Sequence, residues 1–107
     1  MLSLEDLQQK IIAFRDVRDW AQFHTPKDLA IGLSLEAGEV LEHFLWKTPE
    51  ETASYLKTHK KEIADEMGDV LNYLLIMAND FGIDLLDATD KKIDKNAQKY
   101  PVDKAKG

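Results

Sequence analysis

Two stretches of this chain, thirty residues apart, repeat one another. Leu35-Glu36-Ala37-Gly38-Glu39-Val40-Leu41-Glu42-His43-Phe44 aligns with Asp65-Glu66-Met67-Gly68-Asp69-Val70-Leu71-Asn72-Tyr73-Leu74; Glu, Gly, Val and Leu are identical, and Glu39 answers Asp69. The surrounding segments, LAIGLSLEAGEVLEHFLW and EIADEMGDVLNYLLIM, show helical rather than two-residue periodicity and are too apolar for outer helices. Positions i and i+3 share a helix face, so Glu36 with Glu39 and Glu66 with Asp69 each project a carboxylate pair. Beside them run two apolar stripes, Leu29, Leu33, Ala37, Val40, Leu41 and Phe44 on one helix and Ile63, Met67, Val70, Leu71, Leu74 and Ala78 on the other. Packing of stripe on stripe brings the four acids together at the seam edge, with Glu62 one turn earlier and Tyr73 one turn later. Gly38 and Gly68 each cost about 1 kcal/mol in a helix interior, which predicts close backbone approach at those points.

Helix boundaries are marked locally. Thr25-Pro26-Lys27-Asp28 and Thr48-Pro49-Glu50-Glu51 each offer a capping hydroxyl, proline at the first helical position and an acid at the third. Ser3 with Asp6 makes a weaker cap, Gly82 followed by Asp84 and Asp87 closes one helix and opens the next, and Pro101 stops the last. The signals predict helices near 3–21, 26–46, 49–57, 59–81 and 85–99. The fold expected is all-α, a small oligomeric helical bundle of four main helices, with one domain over 1–101 and a frayed tail over 102–107.

Composition narrows the function. A chain of 107 residues with 44% hydrophobic content can build one core, and the absence of cysteine excludes disulfide scaffolds, thiol catalysis and iron–sulfur clusters. Residues 1–90 carry 18 acids against 8 bases, whereas residues 91–107 carry 2 against 6. The acidic body argues against duplex nucleic acid as a partner, and no apolar run reaches membrane-spanning length. Met1 to Lys10 hold acids and glutamines where a secretory leader needs a basic start and an apolar run, so a cytoplasmic setting is expected.

Clustered carboxylates repel unless protonated or offset by cations. Oxygen-only ligands suit hard ions, and Mg²⁺ held by a few carboxylates keeps positions for water and phosphate oxygens. A carboxylate-bridged di-iron bundle needs Glu-x-x-His on two helices, but Val40 stands three residues before His43. A divalent metal acting on phosphate is the reading these residues support. The basic end complements it: Lys92, Asn96 and Tyr100 recur every four residues and offer an ammonium, an amide and a phenol to phosphate and sugar.

Taken together, Trp20 to His24, Pro26-Lys27, Leu35 to Trp46, Glu66 to Leu71, Lys92 to Asn96 and Tyr100-Pro101 resemble the MazG-like all-α nucleotide pyrophosphohydrolases, in particular their small dCTP pyrophosphatase branch. The resemblance covers residues 10–101 and implies hydrolysis of a nucleoside triphosphate to monophosphate and pyrophosphate with Mg²⁺, for which Mn²⁺ can substitute. It implies metal ligation by Glu36, Glu39, Glu66 and Asp69, and a base and sugar pocket walled by Trp20, His24 and Trp46. Tyr73, Lys92, Asn96 and Tyr100 are implied substrate contacts, and Glu39 by analogy or Glu62 by position orients the water. It favours dCTP and modified cytosine nucleotides, in nucleotide-pool cleansing, over dUTP-directed or general hydrolysis.

Simpler roles stand beside each of these: core packing for Trp20 and Trp46, a turn position for His24, a rim hydroxyl for Tyr73 and a solvated face for the last-helix lysines. The alternative of another class is a non-catalytic helical interaction module whose acids bind metal structurally. Ile31, Leu35 and Leu45 lie outside the apolar stripe of their helix, which predicts burial nearly all round and hence a homodimer or dimer of dimers.

Overall fold

Every helix start marked in the sequence is capped in the computed structural model, which describes residues 1–107. The Ser3 hydroxyl accepts from the Asp6 amide and the Asp6 carboxylate from the Ser3 amide, both at 3.0 Å, opening α1 (Leu4–Val17). Thr25 caps α2 (Pro26–Glu42) through the Asp28 amide at 3.2 Å, and Thr48 and Glu51 form the reciprocal box that opens α3 (Pro49–Phe81). Gly82, at φ +67°, ends α3, and Asp84 caps α4 (Leu85–Lys99). The chain is all-α. The residues after Pro101 form one further turn, α5 (Val102–Ala105).

Two boundaries, the ends of α1 and α2, differ from the sequence expectation. α1 stops at Val17 rather than near 21, because the Arg18 guanidinium lies 3.6 Å over the Phe14 ring and donates to the Phe14 carbonyl at 2.8 Å. Asp19 then turns at φ +56°, and Trp20 folds back edge-on against Phe14. α2 ends at Glu42 rather than 46, where His43 Nδ1 lies 2.7 Å from the Tyr55 hydroxyl and Trp46 takes φ +62°. The break expected between a short helix 49–57 and a long helix 59–81 is present inside α3, as a kink at His59 (φ −122°) across which the two helices run on as one element. There the Thr58 hydroxyl donates to the Tyr55 carbonyl at 3.2 Å, and the His59 ring stacks on Tyr55 at 3.9 Å. Side chains inserted into the carbonyl ladder are a recognised cause of a kink.

The packed unit is α3 against α2 on one side and α1 on the other. Its core is Leu29, Ile63, Leu75, Ile76 and Ala78. Leu75 and Ile76 fall outside the expected stripe because α1 docks along the second half of α3. Gln8 donates to the Leu75 carbonyl at 3.0 Å, and the buried Arg15 guanidinium donates to Asp80 at 2.8 Å. Removing Asp80 leaves Arg15 without its main counter-ion, so Asp80→Ala is expected to cost about 2 kcal/mol, discounted for the partial exposure of Asp80. Urea denaturation measures it, and a loss within experimental error would reduce the pair to a surface contact.

The seam beyond the core stays open. Ala37, Leu41 and Met67 are exposed rather than buried, and Ala37, Val40, Met67, Val70, Leu71 and Leu74 line an apolar groove between α2 and α3. α4 has no buried residue. Accessible surface is 8474 Å², against about 6,100 Å² for a self-contained globule of this mass. Likewise the radius of gyration is 17.0 Å, where about 13 Å is usual for such a length. One copy of the chain therefore leaves uncovered a face of the kind that subunits bury.

Candidate active site

The repeat places its acids as the spacing requires. Glu36 and Glu39 on α2 meet Glu66 and Asp69 on α3, with one carboxylate oxygen from each lying within 4.8 Å of the others. Glu36 and Glu66 are half-buried, and one Glu36 oxygen is buried without a hydrogen-bond partner. None of the chain's ion pairs brings a lysine or arginine to the four. A hydrogen bond with Glu39, then burial and the neighbouring charges, pushes the Glu66 carboxyl up to about 7. Burial, followed by Glu39 and Asp69, also raises Glu36. Four oxygen donors, uncompensated charge and an orphaned oxygen fit a hard divalent cation.

Beside the quartet, between α1 and α3, lies a cavity of about 460 Å³, and Asp69 belongs to both. Of the expected substrate residues, Trp20, His24 and Tyr73 line it. His24 Nδ1 is buried there without a partner. Lys10, Arg15 and Asn72 also line it and were missed. Asn72 had a signal, since it stands one turn after Asp69 on the same face; the two α1 residues had none, because their place depends on how α1 docks.

The remaining expected residues lie elsewhere in the single chain. Glu62 is exposed and outside the quartet, one turn before Glu66. Trp46 is 97% exposed at the turn after α2 and does not line the cavity. Lys92 and Asn96 sit on the exposed α4 against a separate shallow depression, and Tyr100, at the end of α4, is exposed.

Close approach occurs at a different glycine from those expected. A Cβ on Gly38 or Gly68 would meet nothing within 4 Å, whereas one on Gly32 would overlap the Tyr73 ring, 2.6 Å from Cζ. The missing side chain at 32 thus seats Tyr73 in the cavity wall. Gly32→Ala should lose about 2–3 kcal/mol to overpacking against a gain of about 1 kcal/mol in helix propensity. It should also displace the phenol. A melting temperature at or above that of the unaltered chain would show that Tyr73 moves aside freely.

The MazG-like family profile matches residues 31–107. The chain belongs to the MazG-like family. Two curated relatives are each named dCTP pyrophosphatase 1. The mouse protein is 38% identical over 98% of this chain and 63% of its own length, and the human protein 36% identical over 94% and 60%. This MazG-like chain therefore spans about three fifths of the length of those relatives. Among solved structures, a pyrophosphatase from Archaeoglobus fulgidus superposes with a TM-score of 0.88 at 38% identity, covering 94% of each chain. No helix of the chain is long and apolar enough to cross a membrane.

Proposed function

We propose that this MazG-like chain is a Mg²⁺-dependent nucleotide pyrophosphohydrolase, cleaving a nucleoside triphosphate to its monophosphate and pyrophosphate, with dCTP and modified deoxycytidine triphosphates preferred. The observation that carries the reading is that Asp69 belongs at once to the acid quartet and to the aromatic cavity. Triphosphate and base are thereby given adjoining sites. The names of the mouse, human and archaeal relatives support the same chemistry.

Glu36, Glu39, Glu66 and Asp69 would hold the metal, Mg²⁺ with Mn²⁺ as substitute. The ion supplies charge that offsets the phosphate oxygens and makes water a better nucleophile. Trp20 offers the base a flat apolar face, which suits any base, and Tyr73 and His24 bound the pocket. Glu39, inside the quartet, is the carboxylate we assign to orient the attacking water and take its proton. Glu62, outside it, is the alternative.

A second copy completes the molecule, as homodimer or dimer of dimers. The surplus of about 2,400 Å² of surface over a self-contained globule and the open α2–α3 groove support this. Assembly is the route by which Trp46, Lys92, Asn96 and Tyr100, displayed away from the cavity of their own chain, reach substrate. We place the work of the enzyme in the cytoplasmic nucleotide pool.

Incubation with a panel of ribo- and deoxyribonucleoside triphosphates and Mg²⁺ tests the reading. It expects monophosphate and pyrophosphate in equal amounts, fastest from dCTP. Turnover of none would return the chain to a non-catalytic helical interaction module, and release of inorganic phosphate alone would overturn cleavage to monophosphate and pyrophosphate.

A further inference from the structure

The half-buried His24 ring stands in the cavity wall with its two nitrogens in different surroundings. Nδ1 is shut off from solvent and meets no donor or acceptor of the protein. Nε2 has no protein partner either, but it is not enclosed, so it is the nitrogen that a molecule in the cavity can reach. A neutral imidazole carries one N–H and one bare acceptor. A buried N–H with nothing to accept it is the costlier orphan, and an under-satisfied acceptor the commoner one. The neutral ring therefore keeps its proton on Nε2 and turns its bare lone pair, at Nδ1, into the protein. Toward the cavity His24 is then an uncharged donor only. It has no lone pair there to take a proton from water, which leaves that task to the carboxylates.

What such a donor meets follows from its neighbours. Trp20 and His24 belong to the one short segment between α1 and α2. Its 3₁₀ turn, Ala21–Phe23, rises about 2 Å per residue and holds the two within about 8 Å along its axis. Trp20 supplies the stacking face for the base, whereas Asp69, on α3, marks where the cavity joins the acid quartet. Phosphate oxygens at that junction have the metal and Lys10, the one cation lining the cavity that is bound to no acid, since Arg15 is held by Asp80 and Asp16. Charged donors suit phosphate better than a neutral N–H does. The nucleoside half offers uncharged acceptors instead: O2 of a pyrimidine or N3 of a purine on the edge beside the sugar, and the sugar oxygens themselves.

We infer, on the pyrophosphohydrolase reading above, that His24 binds the nucleoside half of the substrate by donating from Nε2 to an uncharged acceptor on the base or sugar, and carries no proton in the reaction. The two products separate the halves of the substrate. The test is therefore calorimetry with dCMP and with pyrophosphate, each with Mg²⁺, on the unaltered chain, His24→Leu and His24→Gln. Leucine removes the donor at similar bulk; glutamine returns an amide N–H near the place of Nε2.

His24→Leu is expected to weaken dCMP binding about fivefold to tenfold, to leave pyrophosphate binding and melting temperature unchanged, and to raise KM for dCTP with kcat little altered. His24→Gln recovers most of the loss. Loss with dCMP but not with deoxyribose 5-phosphate puts the acceptor on the base, and equal loss with both puts it on the sugar; each supports the assignment. Nitrogen NMR of the unaltered chain at alkaline pH, with the His24 signals identified by their absence from His24→Leu, should find the proton on Nε2. A proton on Nδ1, dCMP bound as tightly by His24→Leu, dCMP and pyrophosphate weakened alike, or a loss confined to kcat overturns it and leaves the hydrolase intact. An unaltered chain that turns over no triphosphate fails earlier, at the pyrophosphohydrolase reading, and removes the assignment with it.

Discussion

Glu66→Gln and Asp69→Asn are each expected to lower kcat by at least about a hundredfold, roughly 2.7 kcal/mol of transition-state stabilisation, while leaving the metal-free protein to melt at the same or a higher temperature. The two halves of that result have one cause. Four carboxylates held within 4.8 Å with no lysine or arginine among them destabilise the metal-free fold, and the same arrangement is what a divalent cation needs. The sign of the pH dependence follows. Glu66 titrates at about 7 in the folded chain against an ordinary 4.5, so the folded state holds its proton more tightly than the unfolded one. Stability is complete below the ordinary value and is lost as pH rises through the folded value. Metal-free protein is therefore expected to melt at a lower temperature near pH 8 than near pH 5, and Mg²⁺ to raise it more at the higher pH. If both substitutions unfold the protein, and calorimetry detects no Mg²⁺ binding to the unaltered chain, the acids are structural.

The second large effect is on assembly. Light scattering at micromolar concentration should find a particle at two or four times the 12.2 kDa of one chain. Leu41, 58% exposed next to the open α2–α3 groove, contributes little to the fold of one copy. Leu41→Lys should thus leave helix content intact, shift the particle toward a single chain, and lower activity at least about tenfold by removing the residues a second copy brings to the site. An unaltered chain that scatters as 12.2 kDa ends the proposal at once. A monomeric but fully active Leu41→Lys variant would separate assembly from catalysis.

Helix starts and shared helix faces depend on neighbours along the chain and were legible in the residues. Caps at Ser3, Thr25 and Thr48 act through amides three positions away, so composition alone marks them. The quartet was legible for the same reason, applied twice: acids three residues apart share a face on each of two helices, and the repeated apolar pattern directs both faces to one seam. What the pattern did not show is that the seam is only partly closed within one chain. A stripe of apolar residues looks the same whether a neighbouring helix or a second copy covers it, so Leu41 and Met67 read as core and are exposed.

The turn after α2 escaped for a related reason: Trp46 takes φ +62° just after His43, whose ring meets Tyr55 of the next helix, a contact that no local propensity encodes, whereas the kink at His59 falls at the break expected between 49–57 and 59–81. Only the tertiary structure decided that Gly32, rather than Gly38 or Gly68, faces a crowding side chain, because the opposing Tyr73 ring comes from another helix. Only it placed Lys10 and Arg15 at the cavity, because the angle at which α1 crosses α3 is fixed by long-range contacts such as Arg15 with Asp80. Taken by itself, the sequence determined which residues are helical and which acids share a face, through interactions spanning a single turn; how those faces meet, and how much of them one copy leaves bare, was settled by packing between residues far apart in the chain.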